Sequence, residues 1–111
     1  MDIAIRKTGS AVILDLKGAL RLGDPEQMFR DKVQQFVDSG SSHLAINLAG
    51  VTELDSSGIG ALVRVYTSVK RVGGRCTFYA PPQKVRMLLK MVRLDTVLDV
   101  VDDEASALAR V

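Results

Sequence analysis

The feature that most constrains this chain is the alternation of β-rich runs with amphipathic helical segments. Two strand-like runs, residues 3–7 and 11–18, flank a short turn and predict an antiparallel hairpin. The segments that follow are predicted as helix 24–40, strand 43–49, helix 57–72, strand 75–80, helix 82–92, strand 96–101 and helix 103–111. Because parallel strands need crossover connections, this order predicts an α/β fold with a mixed sheet of about five strands and about four helices.

The helix predicted over residues 24–40 has the clearest end signals. Asp24 is a suitable N-cap, Pro25 suits the first helical position, and Gln27 stands where a capping-box partner belongs. Gly40 is expected to stop the helix. In the helix predicted over 82–92, Met87 and Met91 are expected to fill the core rather than to form a docking patch.

Length and composition predict one ordinary globular domain over residues 1–111. The chain has 47% hydrophobic and 25% charged residues and a net charge of only +2, too small to indicate binding to nucleic acid. No apolar run approaches the roughly 20 residues of a membrane span. The single cysteine, Cys76, cannot form an internal disulfide and is expected in the core, which favours a reducing, cytoplasmic setting.

Residues for catalysis or metal binding are scarce. The one histidine, His43, is expected at a strand edge, and no serine has the flanking residues of a nucleophile elbow. One histidine and one cysteine cannot build a zinc site, and no phosphate-binding loop is present. The sequence therefore predicts no enzyme, no metal and no cofactor.

The segment Asp55-Ser56-Ser57-Gly58 joins a predicted strand to a predicted helix. Such strand ends are common functional sites in α/β sheets, and a helix N-terminus stabilises an anion. Asp55 or Ser56 could cap the helix while Ser57 satisfies another N–H group, so capping alone is one interpretation. A phosphate on Ser56 is the other, since it would add about −2 charge and disturb any docked partner.

Three other residues near this junction are candidates for contact with a partner. Gly58 and Gly60 lack side chains, which would let another protein approach the backbone. Arg64 lies on the same predicted helix, and it either faces solvent, contacts a partner or helps to neutralise a phosphate.

Three stretches of the chain resemble one protein family. They are INLAGVTELDSSGIGALV, VILDLKGAL and VKRVGGRCTFYAPPQKVRMLL. Together they are similar to STAS domains, and specifically to bacterial anti-sigma factor antagonists. The first stretch, with its Asp-Ser-Ser-Gly block, is the most specific.

The resemblance implies a function controlled by phosphorylation. In this family the residue after the aspartate is the phosphoacceptor, so that role carries to Ser56. An anti-sigma factor that is also an ATP-dependent serine kinase adds the phosphate, and a serine phosphatase removes it. The unphosphorylated antagonist binds the anti-sigma factor and so frees the sigma factor. The resemblance further implies that Asp55, Ser57, Gly58 and Gly60 shape the docking surface. We expect the chain to be a monomer that forms hetero-complexes.

One departure from the family pattern concerns Arg21. The family commonly carries an acid at this position after the second strand, whereas this chain has a base there. Arg21 therefore points to a different anti-sigma factor or to a related role, such as a STAS structural subunit of a stress-sensing complex or of a lipid-transport system. A two-component receiver with Asp55 as phosphoacceptor is a further alternative, but the first two strands lack the acid pair that holds magnesium.

Overall fold

The computed structural model describes residues 1–111 and contains one five-stranded sheet with four α-helices. The strands are β1 (Asp2–Thr8), β2 (Ala11–Leu20), β3 (His43–Leu54), β4 (Arg75–Tyr79) and β5 (Val100–Val101). The helices are α1 (Asp24–Asp38), α2 (Ser56–Arg71), α3 (Gln83–Met91) and α4 (Glu104–Leu108), with a 3₁₀ turn over Leu94–Thr96. The predicted α/β class, five strands and four helices are confirmed.

The strands lie side by side in chain order, β1-β2-β3-β4-β5. β1 pairs with β2 antiparallel, and the three remaining pairs are parallel. This is the arrangement that a leading hairpin followed by strand-helix repeats predicts, because each helix returns the chain to the same end of the sheet.

Both faces of the sheet are covered, but unequally. The larger core of 19 buried residues brings side chains of α1, α2 and α3 against alternate residues of the central strands, such as Leu14, Leu44 and Phe78. The intervening residues face the other side, where Ile13, Ala45 and Tyr79 form a small cluster with Ala107 of α4. Because side chains alternate between the two faces of each strand, one face packs against α1, α2 and α3 and the other only against the short helix α4.

Several predicted boundaries shift. Gly23, not Asp24, is the N-cap residue of α1, because Asp24 already has helical geometry and its side chain makes no capping bond. The side chain of Gln27 hydrogen-bonds to Asp31 and forms no capping box. The predicted last strand shrinks to Val100–Val101, because Thr96 ends a 3₁₀ helix and residues 97–99 follow it as a turn, a bend and irregular chain.

Two further outcomes concern side chains. The expectation that Met87 and Met91 fill the core is wrong, since they are 54% and 76% exposed on the outer face of α3. Cys76 is confirmed as a core residue, and its burial raises the pKa of the thiol to about 12. His43 is the first residue of β3, as expected.

Candidate functional site

The site forms where β2 and β3 end together. β3 runs five residues further than predicted and pairs with the end of β2, so that Leu54 lies opposite Leu20. The chain therefore leaves β2 and β3 at the same end of the sheet, where the carboxyl ends of these two strands meet. The loop 21–23 before α1 therefore lies beside the junction that starts α2.

Asp55 forms hydrogen bonds with both of these connections. Its Oδ1 accepts the Gly58 N–H at 2.8 Å, which makes Asp55 the N-cap of α2, and its Oδ2 accepts the Leu22 N–H at 3.0 Å. The Gly58 N–H, and after it the Leu22 N–H, hold the pKa of the Asp55 carboxyl below its ordinary value, because both bonds favour the ionised form. Of the two candidate caps, the structure assigns the role to Asp55.

The two serines that follow are left without a capping role. Ser56 is the first residue of α2, it is exposed, and its hydroxyl makes no hydrogen bond within the protein. The Ser57 side chain is half-buried and also makes none, so the expectation that it satisfies a helix N–H is wrong. Both hydroxyls are therefore available for other chemistry, and Ser56 is the more accessible.

The two glycines of the junction differ in what surrounds them. Gly58 is buried, and a Cβ built on it would lie 2.1 Å from the Leu20 carbonyl oxygen, so its missing side chain is explained by packing against β2. A Cβ on Gly60 would meet nothing within 4 Å. Only Gly60 therefore leaves open space at the surface, where we had expected both glycines to do so.

A shallow depression of about 320 Å³ opens beside the serines. It is lined by Leu22, Glu26, Arg30, Ser56, Ser57, Gly60 and Arg64. Spacings of three and seven residues place Ser57, Gly60 and Arg64 on one face of α2, which faces the start of α1. The predicted residues Ser56, Ser57, Gly60 and Arg64 thus share one surface.

The depression also contains charged residues that the sequence analysis did not single out. Glu26 is buried in the first turn of α1 and pairs with Arg30 at 2.5 Å and with Arg64 at 3.7 Å. The spacing of Glu26 and Arg30, four residues apart on a helix, was the one available sequence signal. Nothing local to α1 indicates that Arg64 of α2 joins them.

Arg21 lies at the edge of this site. Its guanidinium approaches the Glu53 carboxylate at 3.6 Å, and both side chains are more than half exposed. Its backbone carbonyl accepts the Glu26 N–H at 3.2 Å, and this hydrogen bond links the loop to the first turn of α1. Arg21 therefore points to solvent and carries only a loose ion pair.

Asp55 is poorly arranged for the alternative role of a receiver phosphoacceptor. Both of its carboxylate oxygens already accept backbone N–H groups. The structure also holds no group of three histidine, cysteine or acidic side chains that could bind a metal ion.

The STAS domain family model matches residues 2–107, nearly the whole chain. The chain belongs to the STAS domain family. The resemblance drawn from the Asp-Ser-Ser-Gly block is thereby confirmed. Among curated relatives, a Thermotoga neapolitana protein named as an anti-sigma factor antagonist is 29% identical over 77 residues, which span 69% of this chain and 68% of the relative.

Solved structures share the fold of this STAS domain. The crystal structure of a Thermotoga maritima protein described as an anti-sigma factor antagonist superposes with a TM-score of 0.89, at 23% identity, over 96% of this chain and 92% of the other. The phosphorylated form of the Bacillus cell fate determinant SpoIIAA gives a TM-score of 0.75, at 19% identity, over 97% and 96% of the two chains. At these identities the likeness establishes the fold alone. No helix of this domain has the length and apolar character to span a bilayer.

Proposed function

We propose that this STAS domain is an anti-sigma factor antagonist and that a phosphate on Ser56 controls its binding to the anti-sigma factor. One observation carries the proposal. Asp55 caps α2 by itself, so the neighbouring Ser56 is left exposed at the first helical position with an unused hydroxyl. A serine needed as a cap would not be free for modification, whereas this one is.

The position of Ser56 suits a reversible phosphate. The N-terminus of α2 presents backbone N–H groups and a partial positive charge, which tolerate an added dianion. A partner seated on the same surface would have to bury that dianion, at a cost far above the worth of an ordinary contact. Phosphorylation therefore leaves the domain folded and removes its partner.

The docking surface that we propose surrounds Ser56. Asp55, Ser57 and Gly60 form its centre. Gly58 contributes indirectly, because its missing side chain lets the start of α2 pack closely against β2. Arg21 and Arg64 place positive charge at its rim, 62% and 66% exposed. Leu22 is 74% exposed in the adjoining loop and provides an apolar contact, of the kind that anchors protein interfaces.

The partner is then an anti-sigma factor that carries serine kinase activity and uses ATP, with a serine phosphatase to reverse the reaction. The unphosphorylated domain binds the anti-sigma factor and so frees the sigma factor, and the domain itself acts as a monomer in hetero-complexes without catalysing a reaction. A relative by fold supports this, because structures of SpoIIAA are described in both unphosphorylated and phosphorylated forms.

The test combines binding with phosphate transfer. The purified domain is mixed with each anti-sigma kinase encoded by its host, with and without ATP, and phosphate is located by peptide mass spectrometry. We expect phosphate on Ser56 of the wild type, and Ser56→Ala is expected to bind the kinase and accept none. Ser56→Asp is expected to bind at least about tenfold more weakly, because a carboxylate placed in the interface loses hydration without gaining a partner.

Ser57→Ala is the matched control, since it removes the neighbouring hydroxyl and leaves Ser56 in place. It is expected to accept phosphate as the wild type does. Phosphate on Ser57 of the Ser56→Ala variant, or unchanged binding of Ser56→Asp, would contradict the proposal.

A second candidate function rests on Arg21. The loose ion pair with Glu53 leaves a base on the surface where antagonists commonly carry an acid. This favours a STAS structural subunit, of a stress-sensing complex or a lipid-transport system, whose partner differs from an anti-sigma kinase. Domain purified from its own host, in growth and under stress, distinguishes the two. Phosphate on Ser56 in either state supports the antagonist, and none in both supports the subunit.

A further inference from the structure

Glu26 is an unusual residue for the wall of a surface depression. Its side chain is only 9% exposed, yet it carries a carboxylate, which is stable in such a place only when it is paired. Its partners are the guanidinium groups of Arg30, on the next turn of α1, and of Arg64, on α2. One buried anion therefore holds two cations against the depression that contains Ser56.

The two arginines have hydrogen-bond donors to spare. Each guanidinium carries five N–H groups. Arg64 is 66% exposed, makes no hydrogen bond and approaches Glu26 only at 3.7 Å. Arg30 donates to the Gln27 side chain, but its buried Nε lies close to Glu26 without a well-directed hydrogen bond. With two cations and one anion, the cluster has one positive charge in excess.

The space between this cluster and Ser56 is open. Ser57 and Gly60 form the wall of α2 between the first helical residue and Arg64, and Gly60 contributes no side chain to fill it. Arginine and phosphate form paired, parallel hydrogen bonds when their groups can meet. A phosphate on the Ser56 hydroxyl could therefore turn along α2 toward the guanidinium groups.

We propose that Arg64 and Arg30 receive the phosphate of phosphorylated Ser56, and that Glu26 is the counter-ion that holds both arginines in place while Ser56 is unmodified. The inference rests on the proposed function, because it assumes that Ser56 carries the phosphate. Its consequence is that the modified domain folds its new charge back against α1. Arg64, once bound to the phosphate, is no longer free to contact a partner.

Other charges near Ser56 do not compete strongly for this role. The Asp55 carboxylate is adjacent but is held by two backbone N–H groups. Arg21 lies across the loop and is paired with Glu53, away from the depression. Arg30 and Arg64 are thus the cations placed to meet the phosphate.

The test measures the second pKa of the phosphate by ³¹P NMR in the full-length domain. Phosphoserine is incorporated at position 56 by genetic-code expansion, so neither kinase nor partner is needed. Because a nearby cation favours the dianion, Arg64→Gln is expected to raise that pKa by about half a pH unit, and Arg30→Gln to raise it similarly. Glu26→Gln is expected to lower it, because a competing anion is removed.

Two variants serve as controls. Arg71→Gln removes an exposed cation from the far end of the same helix, outside the depression, and is expected to leave the pKa unchanged. Arg64→Lys keeps the charge and is expected to restore part of the effect, whereas a general change in folding would not be rescued in this way. Arg64 is largely exposed, so Arg64→Gln is expected to fold even if Glu26→Gln does not.

An equal phosphate pKa in the wild type and in Arg64→Gln, or an effect of Arg71→Gln as large as that of Arg64→Gln, would overturn the inference. The two proposals fail separately. If phosphate on Ser56 blocks partner binding but Arg64→Gln leaves its pKa unchanged, the proposed function stands and the arginine cluster has no part in it. If the pKa changes as expected but no anti-sigma factor binds, the phosphate site stands and the proposed partner is wrong.

Discussion

Two helices of this STAS domain begin with the same type of capping hydrogen bond but differ in the residue that follows the cap. Asp55 caps α2 by accepting the Gly58 N–H at 2.8 Å, and Asp103 caps α4 by accepting the Ser106 N–H at 2.8 Å. In each case the aspartate lies in extended geometry and the bond reaches the third helical residue. The caps themselves are ordinary helix-starting chemistry.

The residue after each cap is where they differ. In α4 it is Glu104, whose carboxylate accepts bonds from Arg6 and from the Tyr79 hydroxyl and so fastens the short helix to the sheet. In α2 it is Ser56, which has no partner within the protein. The comparison teaches that the same capping bond can be followed by a residue that fastens the helix to the sheet, as in α4, or by one whose side chain makes no hydrogen bond, as in α2.

The largest expected effect concerns the third residue of α2. A Cβ on Gly58 would meet the Leu20 carbonyl oxygen at 2.1 Å, and backbone atoms cannot move aside cheaply. Gly58→Ala is therefore expected to destabilise the domain by about 3 kcal/mol. Gly60→Ala is the matched control in the same helix. It meets nothing within 4 Å and is expected to stabilise the domain by up to about 1 kcal/mol. Urea unfolding measures both, and similar effects of the two changes would contradict the close approach of α2 to β2.

The start of α2 shows which parts of the site could be predicted from the sequence. The alternation of strands and helices and the Asp-Ser-Ser-Gly block are local patterns, and they located the junction within a residue or so. The length of β3 was not predictable, because residues 50–54 break the apolar pattern and are extended only through pairing with the end of β2. The pairing of Glu26 with Arg64 was not predictable either, since it depends on how α1 packs against α2.

A smaller effect is expected from the caps. In Asp55→Asn the side-chain oxygen can still cap Gly58, but the amide cannot accept the Leu22 N–H. In Asp103→Asn the single cap bond is kept. Thermal unfolding at pH 7 is therefore expected to show a lower Tm for Asp55→Asn, by roughly 5 °C, and a smaller change for Asp103→Asn.

The pH dependence sharpens this prediction. The folded-state pKa of Asp55 lies below its ordinary value, so its contribution to stability is complete above about pH 4–5 and is lost as the pH falls through the folded pKa. The Tm difference between the wild type and Asp55→Asn is accordingly expected to shrink toward pH 3. A difference that stays constant from pH 7 to pH 3 would show that the carboxylate charge is not what holds the loop.

The smallest expected effect is that of Ser56→Ala on stability. The Ser56 hydroxyl has no partner to lose and alanine is the better helix former, so the free energy of unfolding is expected to change by less than about 0.5 kcal/mol. Glu104→Ala, at the equivalent position of α4, leaves the buried Tyr79 hydroxyl without its acceptor and is expected to cost about 1 kcal/mol. Urea unfolding of the two variants compares them directly. If Ser56→Ala proves as costly as Glu104→Ala, the hydroxyl has a structural role that the contacts do not show, and the interpretation of this junction as a helix cap alone is favoured. If it costs nothing, the serine is free of any duty to the fold, which a residue that gains and loses a phosphate requires.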